Sequence, residues 1–153
     1  MKKFIIIALL AIICKSGFCI EKRDGTEMNR KYTIEELLKN FSKEKNTTHL
    51  KFSMSIGRIF MKGVSGVEIF SFDECDKKFK EDFNEAIKKL KDSAYETVIS
   101  TNENGNCTKI LLKINENFIN EIMILTGGKD PAMIRIKGKI KRDDIDDIIK
   151  SNS

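Results

Sequence analysis

The sequence is poor in histidine, cysteine, proline and tryptophan. It contains one histidine, four cysteines, one proline and no tryptophan. A cysteine–histidine nucleophile pair would have to use His49, and no sequence feature brings that residue to a cysteine. Most aromatic residues are phenylalanine and no concentrated basic excess is present, so nucleic-acid binding is disfavoured. We therefore expect no catalytic residues, no metal site and no cofactor.

The chain begins with a segment typical of a secretory signal peptide. Met-Lys-Lys precedes an apolar run from Phe4 to Ile13, which is too short to span a bilayer. We place the signal peptide at residues 1–19, with cleavage after residue 16, 17 or 19. Its removal takes away three lysines and no acid, so the formal charge falls from +5 to +2. The mature protein is thus predicted to be exported to the periplasm or envelope.

The cysteines allow several states of the exported protein. Lipidation requires a small residue before the cysteine, whereas Cys14 follows isoleucine and Cys19 follows phenylalanine, which disfavours a lipoprotein. Cys75 and Cys107 survive every proposed cleavage, and an oxidising compartment would permit a disulfide between them. Unpaired, Cys75 near a helix N-terminus could have thiolate character or be an inert, half-buried thiol.

Residues 95–140 alternate apolar and polar side chains so regularly that strand pairing can be predicted. The β-branched runs 95–101 and 108–114 flank Asn104-Gly105, and both turn residues tolerate positive φ in a two-residue hairpin. This turn would set Ile99 opposite Ile110 and Glu96 opposite Lys113. A second turn at residues 115–117, with Asn117 left-handed, would lead into the next strand. The pattern predicts an antiparallel sheet.

The predicted strands have one apolar face and one partly apolar face. The inner face carries Tyr95, Thr97, Ile99, Thr101, Ile110, Leu112, Ile114, Phe118, Ile122 and Ile124. The outer face carries the candidate partner patch, which consists of Val98, Leu111, Ile119, Met123 and Leu125. Left uncovered, such a patch indicates a protein interface, and the alternative is that a helix of the same chain covers it.

The last predicted strand places four cations on one side. Arg135, Lys137, Lys139 and Lys141 alternate with apolar residues, and we call them the basic stripe. One interpretation is an edge strand that lysines protect against pairing with other chains. The other is a binding surface for anionic lipid head groups or another polyanion.

Helix signals surround this sheet. After a flexible lead-in at residues 20–32, Thr33 and Glu36 form a capping box for an amphipathic helix that would end near Lys45. Asp73 is the expected N-cap of a long helix at about residues 74–91, which would cover the inner face. Residues 49–62 fit a strand or a helix equally well.

A short helix capped by Asp143 or Asp144 would close the chain. We therefore predict one α+β domain at residues 33–150. Its mainly antiparallel sheet would have four to six strands, with a long helix on one face and shorter N- and C-terminal helices.

Several segments resemble a known family. They are the short signal, Ser-Phe-Asp-Glu-Cys at residues 71–75, Tyr-Glu-Thr-Val-Ile at 95–99 and Ile-Arg-Ile-Lys-Gly-Lys-Ile at 134–140. In these the chain resembles the small exported bacterial proteins catalogued as domain of unknown function 4252. The resemblance implies an envelope location in Gram-negative bacteria and implies no catalytic residues.

These observations favour a non-enzymatic envelope protein that binds another protein, in a sensing or regulatory role. The alternative is an anionic lipid or polyanion binder that uses the basic stripe. The sequence predicts neither the partner nor the oligomeric state.

Overall fold

The computed structural model describes residues 31–53 and 62–144. The described residues form helices α1 (Ile34–Phe41) and α2 (Lys77–Lys89). The strands are β1 (Thr48–Ser53), β2 (Val64–Ser71), β3 (Glu96–Glu103), β4 (Asn106–Asn115), β5 (Phe118–Thr126) and β6 (Ala132–Lys141). Residues 142–144 are helical at the end of the described range. No described helix is long and apolar enough to cross a membrane.

The six strands form one sheet in the order β1-β2-β6-β5-β4-β3. Every neighbouring pair is antiparallel, which confirms the α+β class and the antiparallel sheet. Strand β6 lies inside the sheet between β2 and β5, so the interpretation of the basic stripe as a protected edge strand is wrong. Among the described strands, β1 and β3 are the edges of the sheet.

The first hairpin has the predicted turn but only part of the predicted register. Asn104 and Gly105 have φ of 52° and 79°, and Ile99 pairs with Ile110 as expected. A β-bulge between Thr97 and Ile99 inserts one residue, so Glu96 faces Leu112 and the predicted Glu96–Lys113 pair is wrong.

The second hairpin turns at Glu116 rather than at Asn117. Glu116 has φ of 55°, and Asn115 pairs with Phe118 across a two-residue turn. A register shift beyond the turn then sets Glu121 opposite Lys113. Such irregularities flip the following side chains between faces, because residues alternate along a strand. A two-residue turn without this shift would set Glu121 opposite the apolar Leu112, and the shift sets Ile122 there instead.

Both helices begin at a capping side chain. The predicted capping box of α1 is confirmed. The Thr33 hydroxyl accepts a hydrogen bond from the backbone N–H of Glu36, and the Glu36 carboxylate accepts one from the backbone N–H of Thr33. Helix α2 begins later than predicted. Its N-cap is Asp76, whose carboxylate accepts a hydrogen bond of 2.8 Å from the backbone of Phe79. Both helices are shorter than expected.

Both described helices pack on the predicted outer face, so the assignment of α2 to the inner face is wrong. Leu111, Met123 and Leu125 share one core cluster with residues of α1 and α2. Within it, Phe83 lies with ring centroids 5.1 Å from Phe41 and 4.7 Å from Phe72. We call this side of the sheet the helix face.

The opposite face contains two further apolar clusters. The buried members of these clusters are Val64, Leu112, Ile119, Ile122, Ile140, Ile69 and Ile134. Among the described residues, neither cluster includes a residue of α1 or α2. The predicted signal peptide, the lead-in up to residue 30, the C-terminal helix beyond residue 144 and the undecided segment 54–61 lie outside the described residues. The flexible lead-in was predicted to extend to residue 32, but Tyr32 forms a parallel β-bridge with Leu90 and packs against the core. For 48–53 the strand alternative is confirmed.

Candidate functional site

Cys75 and Cys107 are free, buried thiols. Cys75 precedes the N-cap of α2 instead of lying in its first turn, and Cys107 begins β4 on the helix face. The Cys107 thiol donates a 2.8 Å hydrogen bond to Oδ1 of Asn84. Burial raises the pKa of Cys75 to about 11 and also raises the pKa of Cys107. Both thiols therefore stay protonated near neutral pH, and of the two alternatives for Cys75 this burial favours the inert thiol over thiolate character.

A cavity of about 410 Å³ opens beside Cys75. It is lined by Cys75, Lys77, Lys80, Glu81, Asn84, Gly105, Gly128 and Lys129. The Lys80 ammonium donates to the backbone carbonyls of Asp73 and Lys129, and Lys77 lies 3.7 Å from Glu81. Lys77 and Lys80 thus already interact with neighbouring groups of the same chain. The buried thiol of Cys75 in the cavity wall is neutral.

A row of connected charged and polar side chains crosses the helix face of the sheet, and we call it the charge ladder. It consists of Lys51, Glu68, Arg135, Glu121 and Tyr95. Glu121 is buried, with 6% of its surface exposed. Its carboxylate accepts a hydrogen bond of 2.9 Å from Nη2 of Arg135 and one of 2.6 Å from the hydroxyl of Tyr95. Burial and this hydrogen bond raise the pKa of Tyr95, so the phenol remains a donor.

The ladder continues from Arg135 towards the β1 edge. Nη1 of Arg135 lies 3.8 Å from Glu68, and Lys51 lies 3.3 Å from the other oxygen of Glu68. Within the described residues, Nε of Arg135 is buried without a hydrogen-bond partner. Two carboxylates therefore neutralise Arg135, which removes it from the candidate anion-binding stripe.

The other three residues of the basic stripe remain accessible. Lys137, Lys139 and Lys141 are exposed, and none has a carboxylate at ion-pair distance in the described part of the chain. The Lys139 ammonium lies 4.5 Å from the ring centroid of Phe118. The stripe is thus reduced to three cations on a strand inside the sheet.

The candidate partner patch is not a surface. Leu111, Met123 and Leu125 are at most 2% exposed beneath the helices, so these three cannot meet a partner. Ile119 is fully buried in an apolar cluster of the opposite face. Only Val98 of this patch is accessible, because β3 lies at an edge of the sheet.

Strand β3 is the most accessible regular element of the described residues. All eight of its residues are exposed. Val98 and Ile99 are each 39% exposed and are the large exposed hydrophobic residues identified in the described ranges. One side of β3 pairs with β4, and the other has no neighbouring strand among the described residues. Its outward backbone groups are therefore a template for another extended chain.

Sequence reasoning missed the charge ladder and the edge position of β3. Glu68 and Glu121 are each the single charged residue of an apolar strand, and that pattern is typical of paired buried charges. The strand order, by contrast, has no local signal. No group of three or more His, Cys, Asp or Glu residues is placed to hold a metal ion within residues 31–53 and 62–144.

Comparison with known families agrees with the sequence resemblance. The model of a family described as a domain of unknown function (DUF4252) matches residues 34–148. No curated protein and no solved structure matches the chain.

Proposed function

The chain belongs to the DUF4252 family of domains of unknown function, and we propose that it is an exported envelope protein that binds another protein through β3. We further propose that it acts in a sensing or regulatory role without catalysing a reaction. The observation that carries the proposal is the concentration of exposed apolar side chains, Val98 and Ile99, on an edge strand.

The two edges of the sheet differ in how well they are protected. Lysine, proline and short length are common protections of an edge strand. Strand β1 has six residues and contains Lys51, whereas β3 has eight residues and contains no lysine, arginine or proline. The protections of β3 are its bulge and the glutamates at its two ends. Addition of a strand gives main-chain hydrogen bonds, and the side chains give specificity.

Site-specific photo-crosslinking in intact cells tests this proposal. A photoreactive amino acid at Thr101 on β3 should give an adduct with a partner, while the same amino acid at Lys77 on α2 serves as the control position. The double substitution V98T/I99T should remove the Thr101 adduct and leave the melting temperature nearly unchanged, because both side chains are already accessible. An adduct that survives V98T/I99T would contradict binding through β3.

Export is part of the proposal and has its own test. Intact mass of the protein from the envelope of its host, with and without alkylation, reports the cleavage site, lipidation and free thiols together. We expect cleavage within residues 16–19, no acyl chain and two thiols that become alkylated only after unfolding. The mass of the uncleaved chain would contradict export.

An anionic lipid surface is the second candidate partner, supported by the three exposed lysines of the basic stripe. Association with vesicles that contain anionic lipid should be salt-sensitive and should weaken in K137Q/K139Q. The variant K91Q/K129Q removes the same charge from exposed sites outside the stripe and should bind like the parent protein. Equal loss in both variants would indicate nonspecific charge attraction.

A further inference from the structure

We propose that the occupant of β3 is an extended segment of another protein, apolar at its centre and carrying lysine or arginine at both ends. The segment would extend the sheet as an added strand. This inference rests on the proposed function and specifies the partner that the β3 surface fits.

The apolar centre of the segment follows from the two faces that meet at β3. Ile99 pairs with Ile110, which packs against the apolar cluster opposite the helices. Val98 belongs to the bulge beside Leu111, which is a core residue of the helix face. A strand added beyond β3 would cover Val98 and Ile99 from both sides of the sheet. Apolar side chains on both faces of the segment would continue both clusters.

The basic ends follow from the charges of β3. The strand begins at Glu96, ends at Glu103 and carries no cation. Glu96 has one arginine at 3.8 Å but keeps about half of its side chain exposed, and Glu103 has no ion pair within the described residues. Opposite charges across neighbouring strands attract, so lysine or arginine opposite both glutamates stabilises the added strand.

The length of β3 sets the spacing of these cations. A strand rises about 3.3 Å per residue, so the two glutamates are separated by roughly 23 Å along β3, less the shortening at the bulge. The basic residues of the segment would therefore lie about six or seven positions apart. A second copy of this chain fits poorly, because full antiparallel overlap of two β3 strands sets Glu96 against Glu103 at both ends.

Two synthetic peptides of the length of β3 test the inference. They share a central run of valine, which is apolar on both faces of the strand, and differ only at the ends, which are lysine in one and glutamate in the other. We expect the lysine-ended peptide to bind the processed, exported protein about tenfold more tightly, since two charge pairs change sign. Amide hydrogen exchange should slow in β3 and not in β1.

A charge-swap variant provides the matched control. E96K/E103K should reverse the preference, so that the glutamate-ended peptide binds more tightly. Its thermal melting should stay close to that of the parent protein, because both side chains are accessible. Equal binding of both peptides would overturn the inferred charge of the partner, while the crosslinking dependence on Val98 and Ile99 would still stand.

Other occupants of β3 give different outcomes. Sedimentation that shows a concentration-dependent dimer, with β3 protected only in the dimer, would overturn the inference in favour of a second copy. Slow amide hydrogen exchange in β3 of the monomer without peptide would mean that another segment of this chain covers the edge, and this result would also overturn the inference. If the parent protein gives neither the Thr101 crosslink nor peptide binding, both the proposed function and the inference are rejected.

Discussion

Removal of the Glu121 carboxylate tests the charge ladder directly. This carboxylate is 6% exposed and accepts hydrogen bonds from Arg135 at 2.9 Å and from Tyr95 at 2.6 Å. In Glu121→Ala, Arg135 keeps only the longer contact of 3.8 Å to Glu68, and its Nε already lacks a partner among the described residues. The variant therefore leaves a desolvated cation with weak compensation.

The magnitude follows from the exposure of that cation. Removal of one partner of a buried ion pair costs about 3 to 5 kcal/mol. The Arg135 side chain is 24% exposed, so water recovers part of the loss, and we expect Glu121→Ala to lower the free energy of unfolding by about 2 to 3 kcal/mol. Tyr95→Phe removes one hydrogen bond to a charged acceptor and should cost about 1.5 kcal/mol.

Urea denaturation of the two single variants and the double variant measures these values. Because both side chains belong to one hydrogen-bonded group, their effects should be less than additive, with a coupling of about 0.5 kcal/mol or more. Glu103→Ala, an exposed glutamate of the same sheet, is the control and should change stability by less than about 0.5 kcal/mol. If Glu121→Ala is no more destabilising than Glu103→Ala, the ladder contributes nothing to stability and the argument fails.

Three further predictions concern the core, a tight turn and a thiol. Leu125→Ala should cost about 2 to 5 kcal/mol in urea denaturation because the residue is fully buried, whereas Val98→Ala should cost less than about 1 kcal/mol; similar costs would contradict helix cover of the sheet. In Gly127→Ala the new Cβ would lie 2.2 Å from the side-chain oxygen of Asn84, so we expect the free energy of unfolding to fall by about 1 to 3 kcal/mol. Gly66→Ala is the matched control, because its Cβ would meet only a backbone oxygen at 3.6 Å. Equal urea midpoints of the two variants would refute the close approach at Gly127. Alkylation of Cys75 should be slow at neutral pH and rise towards pH 11, and stability should fall as the pH rises above about 9, because the folded state favours the protonated thiol; an inflection below pH 9 would contradict burial.

Local sequence signals predicted much of the secondary structure. The capping box at Thr33, the Asn104-Gly105 turn and the pairing of Ile99 with Ile110 all depend on residues close in sequence, and the structure confirms them. Turn residues fix local φ angles and capping side chains reach only a few positions along the chain. Such features can therefore be read from the sequence.

The faces of the sheet were less predictable, because one inserted residue changes every side chain beyond it. The bulge at Val98 and the register shift near Ile119 moved Glu96, Ile119 and Glu121 to neighbours that strict alternation does not predict. Bulges have no firm sequence signature in β-branched strands. The candidate partner patch was therefore assembled from residues that the fold distributes over two faces.

The sequence by itself determined the α+β class, the antiparallel hairpins and the family, since each depends on local pattern. Only the tertiary structure decided the strand order, which placed β6 inside the sheet and β3 at its edge. It also decided that Arg135 is neutralised by Glu68 and Glu121. These outcomes depend on contacts between residues distant in sequence, whose energies sum over the whole sheet and cannot be read from any single segment.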